Sequence, residues 1–349
     1  MFQLSQQTAR ILALCSLLLL LLSSCNAVNV NTTPTPTSVP TFSLSGGGAC
    51  VNLGHHVQPP YTNFRVSHDT YQAHSETMLA EDPNNSLHLV GGAKFFPNVG
   101  QYRFQVGYVT SFDGGCTWSD GGVLPSFDAG TTTSDPSFAF GPHHEVYAGV
   151  LTFKGNLNGG ISGEESGISV SVSHDDGKTF GSPVSVFRTQ PNIAFSDKPW
   201  IAVDQTRGAH SGNVYVAWSY DHAGSCGYGN LCSQNLAFSR STDGGKTFSP
   251  VRLIEGSAPF CTNPATGRPA DSTRCDAIQG VIPIVQPDGT IVIATPYIDL
   301  MSGSIPTRLI EVTSHDGGKT WSAPMAITFV HDISGTFLPE KYRNLSLPA

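Results

Sequence analysis

The chain has 349 residues, which is enough for one large domain or two ordinary ones. Charged residues make up only 13% of it, while 37 glycines and 24 prolines favour short strands joined by tight turns over a helical bundle. Eighteen basic and 26 acidic residues give a formal net charge of −8, which argues against nucleic-acid binding, and the 39% hydrophobic share argues against a disordered chain.

Residues 1–25 have the organisation of an export signal. Arg10 precedes an apolar run over residues 11–22. At 1.5 Å per residue the run spans about 18 Å, which is too short for the roughly 30 Å hydrocarbon core but typical of a signal peptide. The following Leu22-Ser23-Ser24-Cys25 resembles the bacterial lipobox, in which the cysteine is lipidated and the chain is cut before it. The resemblance implies a lipoprotein anchored through Cys25, and the alternative is an ordinary signal peptide with an incidental cysteine.

Residues 26–49 form a low-complexity stretch rich in proline, threonine and glycine. Pro-Thr repeats favour extended polyproline II structure, and the three glycines at 46–48 add a flexible point. We therefore expect a tether that holds a folded domain, residues 50–349, on the extracytoplasmic side of a membrane.

Export implies an oxidising compartment, so the cysteines of the folded part are candidates for disulfide bonds. Proximity in sequence favours bonds within the pairs 226/232 and 261/275. The two remaining cysteines, at 50 and 116, are then left to bond with each other. The predicted bonds are Cys50–Cys116, Cys226–Cys232 and Cys261–Cys275. The sequence contains no CxxC-type spacing with histidine. It also contains no metal-ligand motif around the histidine pairs at 55–56 and 143–144, so no zinc site is expected.

An internal repeat organises the folded part. The pattern S-x-D-x-G-x-T-[WF] occurs four times, with successive aspartates 62, 68 and 73 residues apart. These aspartates are Asp113, Asp175, Asp243 and Asp316. In a hairpin turn such an aspartate accepts backbone N–H groups, and a glycine takes the positive φ. The four aspartates are therefore expected to stabilise turns.

Strand patterns surround each copy of the repeat. Strands are predicted before the turns at 105–110, 167–172 and 309–312. Two further strands lie upstream, most clearly at 199–203 with 213–218 and at 280–285 with 290–294. Each unit therefore has four strands in about 65 residues, which is the size of a β-propeller blade.

The octapeptides resemble the Asp-box, or BNR, repeat of the sialidase superfamily, whose members are usually six-bladed propellers. Residues 81–85 and 197–203 also resemble segments of bacterial sialidase-like propellers. The resemblance extends from about residue 60 to the C-terminus and implies an all-β fold. At about 65 residues per blade, residues 50–349 supply about four and a half blades. We therefore expect a C-terminally truncated propeller that stops in a fifth inner strand near 340–349, and the alternative is a propeller that closes with a partner.

The resemblance also implies exo-sialidase activity, with three arginines for the substrate carboxylate, a tyrosine nucleophile and an aspartic acid. Two registers are open. In one, Phe64-Arg65-Val66-Ser67 corresponds to the F/Y-R-I-P motif of the first blade. In the other, which we prefer, residues 65–69 close the last blade and 76–80 form the first inner strand. Glu76 then stands where the first arginine is expected, and the predicted loop 93–100 contains no aspartic acid.

The starts of the inner strands are expected to crowd the central channel, where propellers usually bind ligands. They are Glu76, Asp135, Asp197 with Lys198, Gln279 and Arg343. The three acids are candidates for a Ca²⁺ site or for the paired carboxylates of glycoside hydrolysis, and the alternative is that Asp135 and Asp197 cap strand starts. Candidate aromatic platforms for a sugar are Trp200, Tyr220 and Tyr228.

Two functions remain open from the sequence. One is an exo-acting glycoside hydrolase, a sialidase by resemblance. The other is a non-catalytic propeller that binds glycans or proteins at the cell surface. The oligomeric state is not predicted.

Overall fold

The computed structural model describes residues 66–100, 103–154, 165–189, 194–228, 231–254, 256–261, 275, 278–297 and 306–331. All of them belong to one compact unit, residues 46–349. Strands, turns and bends make up these segments, and none contains a helix long and apolar enough to span a membrane. The predicted signal and tether lie outside the described residues.

The described residues form sixteen strands in four antiparallel sheets of four, each in chain order. The first sheet contains β1 (Ala73–Asp82), β2 (Asn85–Phe96), β3 (Gln105–Ser111) and β4 (Ser119–Val123). The second contains β5 (Thr132–Phe140), β6 (Val146–Lys154), β7 (Glu165–Ser173) and β8 (Val184–Arg188). The third contains β9 (Ala194–Val203), β10 (Val214–Tyr228), β11 (Leu231–Ser241) and β12 (Arg252–Leu253). The fourth contains β13 (Ile282–Val285), β14 (Ile291–Tyr297), β15 (Pro306–Ser314) and β16 (Met325–His331).

The first strand of each sheet contacts the first strand of the next, so β1, β5, β9 and β13 lie side by side as inner strands. Each sheet is therefore one blade, and the predicted all-β propeller is confirmed. Middle strands such as β6 are sandwiched between blades, which explains why they are apolar on both faces. The predicted fifth inner strand near 340–349 lies outside the described residues.

The hydrophobic core lies between the blades rather than inside any one of them. Val90 and Phe138 pack between the first and second blades, and Ile168 and Trp218 pack between the second and third. The core between the third and fourth blades contains the disulfide bond Cys261–Cys275, with a Cα–Cα distance of 4.9 Å.

The other two predicted disulfide bonds involve four cysteines, and the structure describes the side chain of only one of them, Cys116. Cys116 is disulfide-bonded, and its expected partner Cys50 lies outside the described residues. The side chains of Cys226 and Cys232 also lie outside the described part of the chain.

Each Asp-box forms the turn between the third and fourth strands of its blade. In the third blade the Ser241 hydroxyl donates to Asp243 Oδ1 at 2.7 Å, and the Thr247 hydroxyl donates to Oδ2 at 2.6 Å. The amide of Thr247 donates to Oδ1 at 3.0 Å. These bonds, led by that of the Thr247 hydroxyl, lower the pKa of Asp243 to about 2. The same serine and threonine contacts recur at Asp113, Asp175 and Asp316.

The Asp-box turns also join each blade to the one before it. The Thr110 hydroxyl of the first blade donates to the Gly177 carbonyl of the second at 2.9 Å. A Cβ added at Gly245 would lie 2.9 Å from Val172 Cγ2, and one at Gly318 would lie 2.5 Å from the Phe238 ring. The second glycine of the turn is therefore required for close packing as well as for its positive φ.

The structure decides between the two registers at the start of the propeller. Glu76 lies in β1, the inner strand of the first blade, as preferred. The predicted closing strand of the last blade is wrong for its described part, because residues 66–72 form no strand. The His68 amide instead donates to Asp120 Oδ2 at 3.0 Å, and the Tyr71 amide donates to Asp69 Oδ1 at 2.9 Å. Arg65 and Arg343 lie outside the described residues.

Candidate functional site

Three neighbouring inner strands each carry one non-glycine residue with a left-handed backbone. These residues are Glu76, Asp135 and Lys198, with φ of 56°, 49° and 49°. Each lies at a shift in strand register, which marks a β-bulge. Gly280 also has a positive φ, 78°, and it follows Gln279 just before β13, as Lys198 follows Asp197 in β9. Positive φ is uncommon for residues with a Cβ, and such positions cluster at functional sites.

The bulges bring charged groups from different blades together. Lys94 Nζ lies 2.8 Å from Glu76 Oε1, and the Ser134 hydroxyl donates to Glu76 Oε2 at 3.0 Å. Lys198 Nζ donates to Asp135 Oδ1 at 3.0 Å. We call Glu76, Lys94, Asp135, Asp197 and Lys198 the central cluster.

The central cluster continues to the fourth blade, where Gln279 Nε2 donates to Asp197 Oδ2 at 3.2 Å. The structure therefore places all the described inner-strand residues singled out from the sequence in one chain of contacts. The strand-cap interpretation of Asp135 does not account for its bond to Lys198, which links two blades.

The acids of the central cluster titrate differently. Burial, then the negative charge of Asp197, raises the pKa of Asp135 to about 6 despite Lys198. Burial also raises the pKa of Asp197. Burial opposes ionisation of Glu76 as well, but the hydrogen bond and charge of Lys94 outweigh it and lower that pKa. Near pH 6 the site therefore combines an ionised Glu76 with an Asp135 that readily holds a proton.

A cavity of about 160 Å³ lies against this cluster. Its polar wall contains Glu76, Asp135 and Lys198, and its apolar wall contains Met78, Trp200 and Val281. It is smaller than the roughly 300–1,000 Å³ pockets that hold drug-sized ligands, so it suits a small ligand or the end of a larger one.

The candidate aromatic platforms have different locations. Trp200 lines the cavity. Tyr220 instead packs against Phe187, with ring centroids 5.6 Å apart, beside the core between the second and third blades. The side chain of Tyr228 lies outside the described residues.

The predicted Ca²⁺ site gains no support from the described part of the chain. No group of three acidic, histidine or cysteine side chains there is arranged to hold a metal ion. Lysine ammonium groups pair with two of the three predicted carboxylate ligands, Glu76 and Asp135. Calcium binding stays a prediction of the sequence.

Two residues near the site were missed in the sequence. The sequence predicts Lys94 in the loop 93–100, but the residue belongs to β2 and is buried, and its Nζ lies 4.5 Å from the Phe104 ring centroid. A single lysine at the end of an apolar strand was the available signal. Asp221 on β10 accepts a hydrogen bond from Gln234 at 3.3 Å, while burial and then the charge of Asp197 raise its pKa to about 7.

Comparisons with known proteins agree with this architecture. The model of the BNR/Asp-box repeat matches residues 312–323, and no curated protein sequence matches the chain significantly. A solved structure of the GH93 α-L-arabinofuranosidase of Fusarium graminearum with arabinobiose has a TM-score of 0.50 and 16% identity, covering 73% of this chain and 66% of that one.

Two sialidase structures are also similar. A Hadza microbial sialidase has a TM-score of 0.49 and 15% identity over 72% of this chain and 46% of its own. A leech intramolecular trans-sialidase has a TM-score of 0.49 and 12% identity over 76% and 54%. This chain thus spans about half the length of those two proteins. Residues 312–323 thus match the Asp-box repeat, and the described blades have a β-propeller fold similar to that of the GH93 enzyme.

Proposed function

We propose that the chain binds the terminal sugar of a glycan in the central cavity and hydrolyses its glycosidic bond. The observation that carries the proposal is the pairing of Glu76 and Asp135 on one cavity wall with opposite pKa shifts. Glycoside hydrolases use two such carboxyl groups, one that donates a proton and one that stays ionised.

The roles follow from the two environments. Asp135 would donate its proton to the leaving glycosidic oxygen, because its pKa of about 6 leaves it partly protonated near neutral pH. Glu76 would remain ionised and stabilise the positive charge that develops on the sugar ring. A water molecule would then attack the anomeric carbon and give its proton to the ionised Asp135. Trp200 would offer its ring to the apolar face of the sugar.

A non-catalytic glycan- or protein-binding propeller is the second candidate. It is favoured by the hydrogen bonds that already hold the Glu76 carboxylate. Lys94 occupies one oxygen, while the Ser134 hydroxyl and the Asp135 amide share the other. A carboxylate held in this way suits a rigid binding wall better than a nucleophile.

We further propose that the protein acts outside the cytoplasm, attached to the membrane by lipid on Cys25. The apolar run at 11–22, the lipobox-like Leu22–Cys25 and the tether support this location. A glycan partner is consistent with the arabinobiose bound in the GH93 structure.

The test is turnover of a panel of chromogenic aryl glycosides by the full-length chain. Asp135→Asn and Glu76→Gln keep side-chain size, and we expect each to lower kcat/KM at least about 100-fold on the active substrate. Glu165→Gln is the matched control, because Glu165 pairs with Arg188 on β7 and β8 away from the cavity. Absence of turnover on every glycoside, with intact glycan binding, would replace the hydrolase proposal by the binding one.

A further inference from the structure

We propose that the central cavity selects an uncharged terminal sugar and excludes sugars that carry a carboxylate, including sialic acid. This inference rests on the function proposed above and specifies its substrate class. It departs from the sialidase activity that the sequence resemblance implies.

The lysines near the cavity already contact carboxyl groups. Lys94 Nζ and Lys198 Nζ lie 2.8 and 3.0 Å from carboxyl oxygens of Glu76 and Asp135, so each ammonium already has a partner. None of the arginines among the described residues lines the cavity. An anionic sugar is held best by a bidentate guanidinium, whereas the charged donor of this wall is the single ammonium of Lys198, which already bonds to Asp135.

Acidic groups outnumber basic groups around the cavity. The central cluster contains three acids and two lysines, and Asp221 adds a fourth acid whose pKa responds to Asp197. Above about pH 7, where Asp135 and Asp221 are ionised, the acidic groups outnumber the basic ones. A ligand carboxylate would enter a partly desolvated acidic region, where repulsion is stronger than in water. Glu76 projects from the position at which the resemblance expects an arginine, so the charge there is reversed.

The cavity wall suits the hydroxyl groups and the apolar face of a neutral sugar. Hydroxyl groups of a neutral sugar donate hydrogen bonds, and carboxylates are strong acceptors for them. Lys198 supplies a donor, while Met78 and Trp200 supply an apolar surface for the ring C–H face. The small volume favours one terminal ring over an internal segment of a chain.

The experiment measures binding of the full-length chain, purified in detergent, to an array of defined glycans. The array contains neutral termini, such as arabinose, xylose, galactose and mannose, and matched glycans capped by sialic acid. We expect binding to at least one neutral terminus, and at least about tenfold weaker binding when that terminus is capped. Asp135→Asn should weaken the neutral interaction at least about tenfold, whereas Glu165→Gln should leave it unchanged.

Glu76→Gln removes one negative charge at nearly constant volume and provides a second readout. We expect it to narrow the preference for the neutral glycan over its sialylated partner. Circular dichroism and melting temperature identify any variant that fails to fold.

The outcomes separate the two proposals. Tighter binding of sialylated than of neutral glycans, weakened by Asp135→Asn, would overturn the neutral-sugar inference and leave the glycan site in place. Neutral-glycan binding that neither cavity variant alters would place the site elsewhere and overturn both. Failure to bind any glycan would also overturn both.

Discussion

Lys198 Nζ lies 3.0 Å from Asp135 Oδ1, although the two residues are 63 positions apart and belong to neighbouring blades. Both have left-handed backbones at equivalent bulges of β9 and β5. The ion pair therefore joins two inner strands at the cavity wall. The pair holds Asp135, whose protonation determines the expected pH dependence of stability and of hydrolysis.

The first prediction concerns stability against pH. Burial raises the pKa of Asp135 from 3.8 to about 6, so the protonated form is favoured in the folded state. The contribution of Asp135 to the unfolding free energy is fully present below about pH 4 and is lost as pH rises through about 6. The Asp135→Asn variant cannot ionise at this position, so it does not lose stability in this way. The unfolding free energy of the variant minus that of wild type should therefore increase between pH 4 and pH 7, by about 3 kcal/mol at most.

Urea unfolding at pH 4, 5, 6 and 7 measures this difference. Asparagine tolerates a left-handed backbone, so the substitution introduces little strain of its own. The surface variant Glu165→Gln serves as the control. A pH-independent difference between Asp135→Asn and wild type would contradict the assigned environment of the acid.

The second prediction concerns the pH dependence of hydrolysis. If Asp135 donates the proton, kcat/KM on an aryl glycoside should fall as pH rises above about 6, because the acid becomes ionised. Substrates with good leaving groups, such as dinitrophenyl glycosides, need less protonation and should show a weaker fall. An equal pH profile for good and poor leaving groups would assign the proton transfer to another residue.

The third prediction concerns the Asp-box. Asp243→Ala removes the acceptor of three hydrogen bonds and should lower the unfolding free energy by about 1–2 kcal/mol, a modest value because the turn is exposed. The pKa of Asp243 is lowered to about 2, so its contribution is present above about pH 4 and is lost as pH falls through 2. The exposed neighbour Thr242→Ala is the control, and equal effects of the two variants at pH 7 would contradict the role of the carboxylate.

The fourth prediction separates packing from backbone strain. Gly245 and Gly122 both have φ of 83°, but an added Cβ would lie 2.9 Å from Val172 Cγ2 only at Gly245 and would meet nothing within 4 Å at Gly122. Gly245→Ala should therefore cost about 1–3 kcal/mol more unfolding free energy than Gly122→Ala. Equal losses, measured by guanidinium unfolding, would show that blade docking does not depend on this glycine.

Much of the fold follows from local sequence. The Asp-box residues determine their own turns, because Asp243 bonds to residues at most four positions away. Alternation and apolar runs predicted the strands, and the spacing of the repeat placed Glu76, Asp135 and Asp197 at the starts of inner strands. These features depend on neighbouring residues, so a single sequence contains them.

The site depends on tertiary structure instead. The contact between the Ser134 hydroxyl and Glu76 joins residues 58 positions apart, and that between Gln279 and Asp197 joins residues 82 apart. No local pattern indicated that Lys94 would neutralise Glu76, or that burial would raise the pKa of Asp135. The sequence alone determined the repeat, the turns and which residues lie on the inner strands at the centre of the propeller. Only the packing of one blade against the next decided their partners and charge states, because distances and desolvation arise when separate sheets meet.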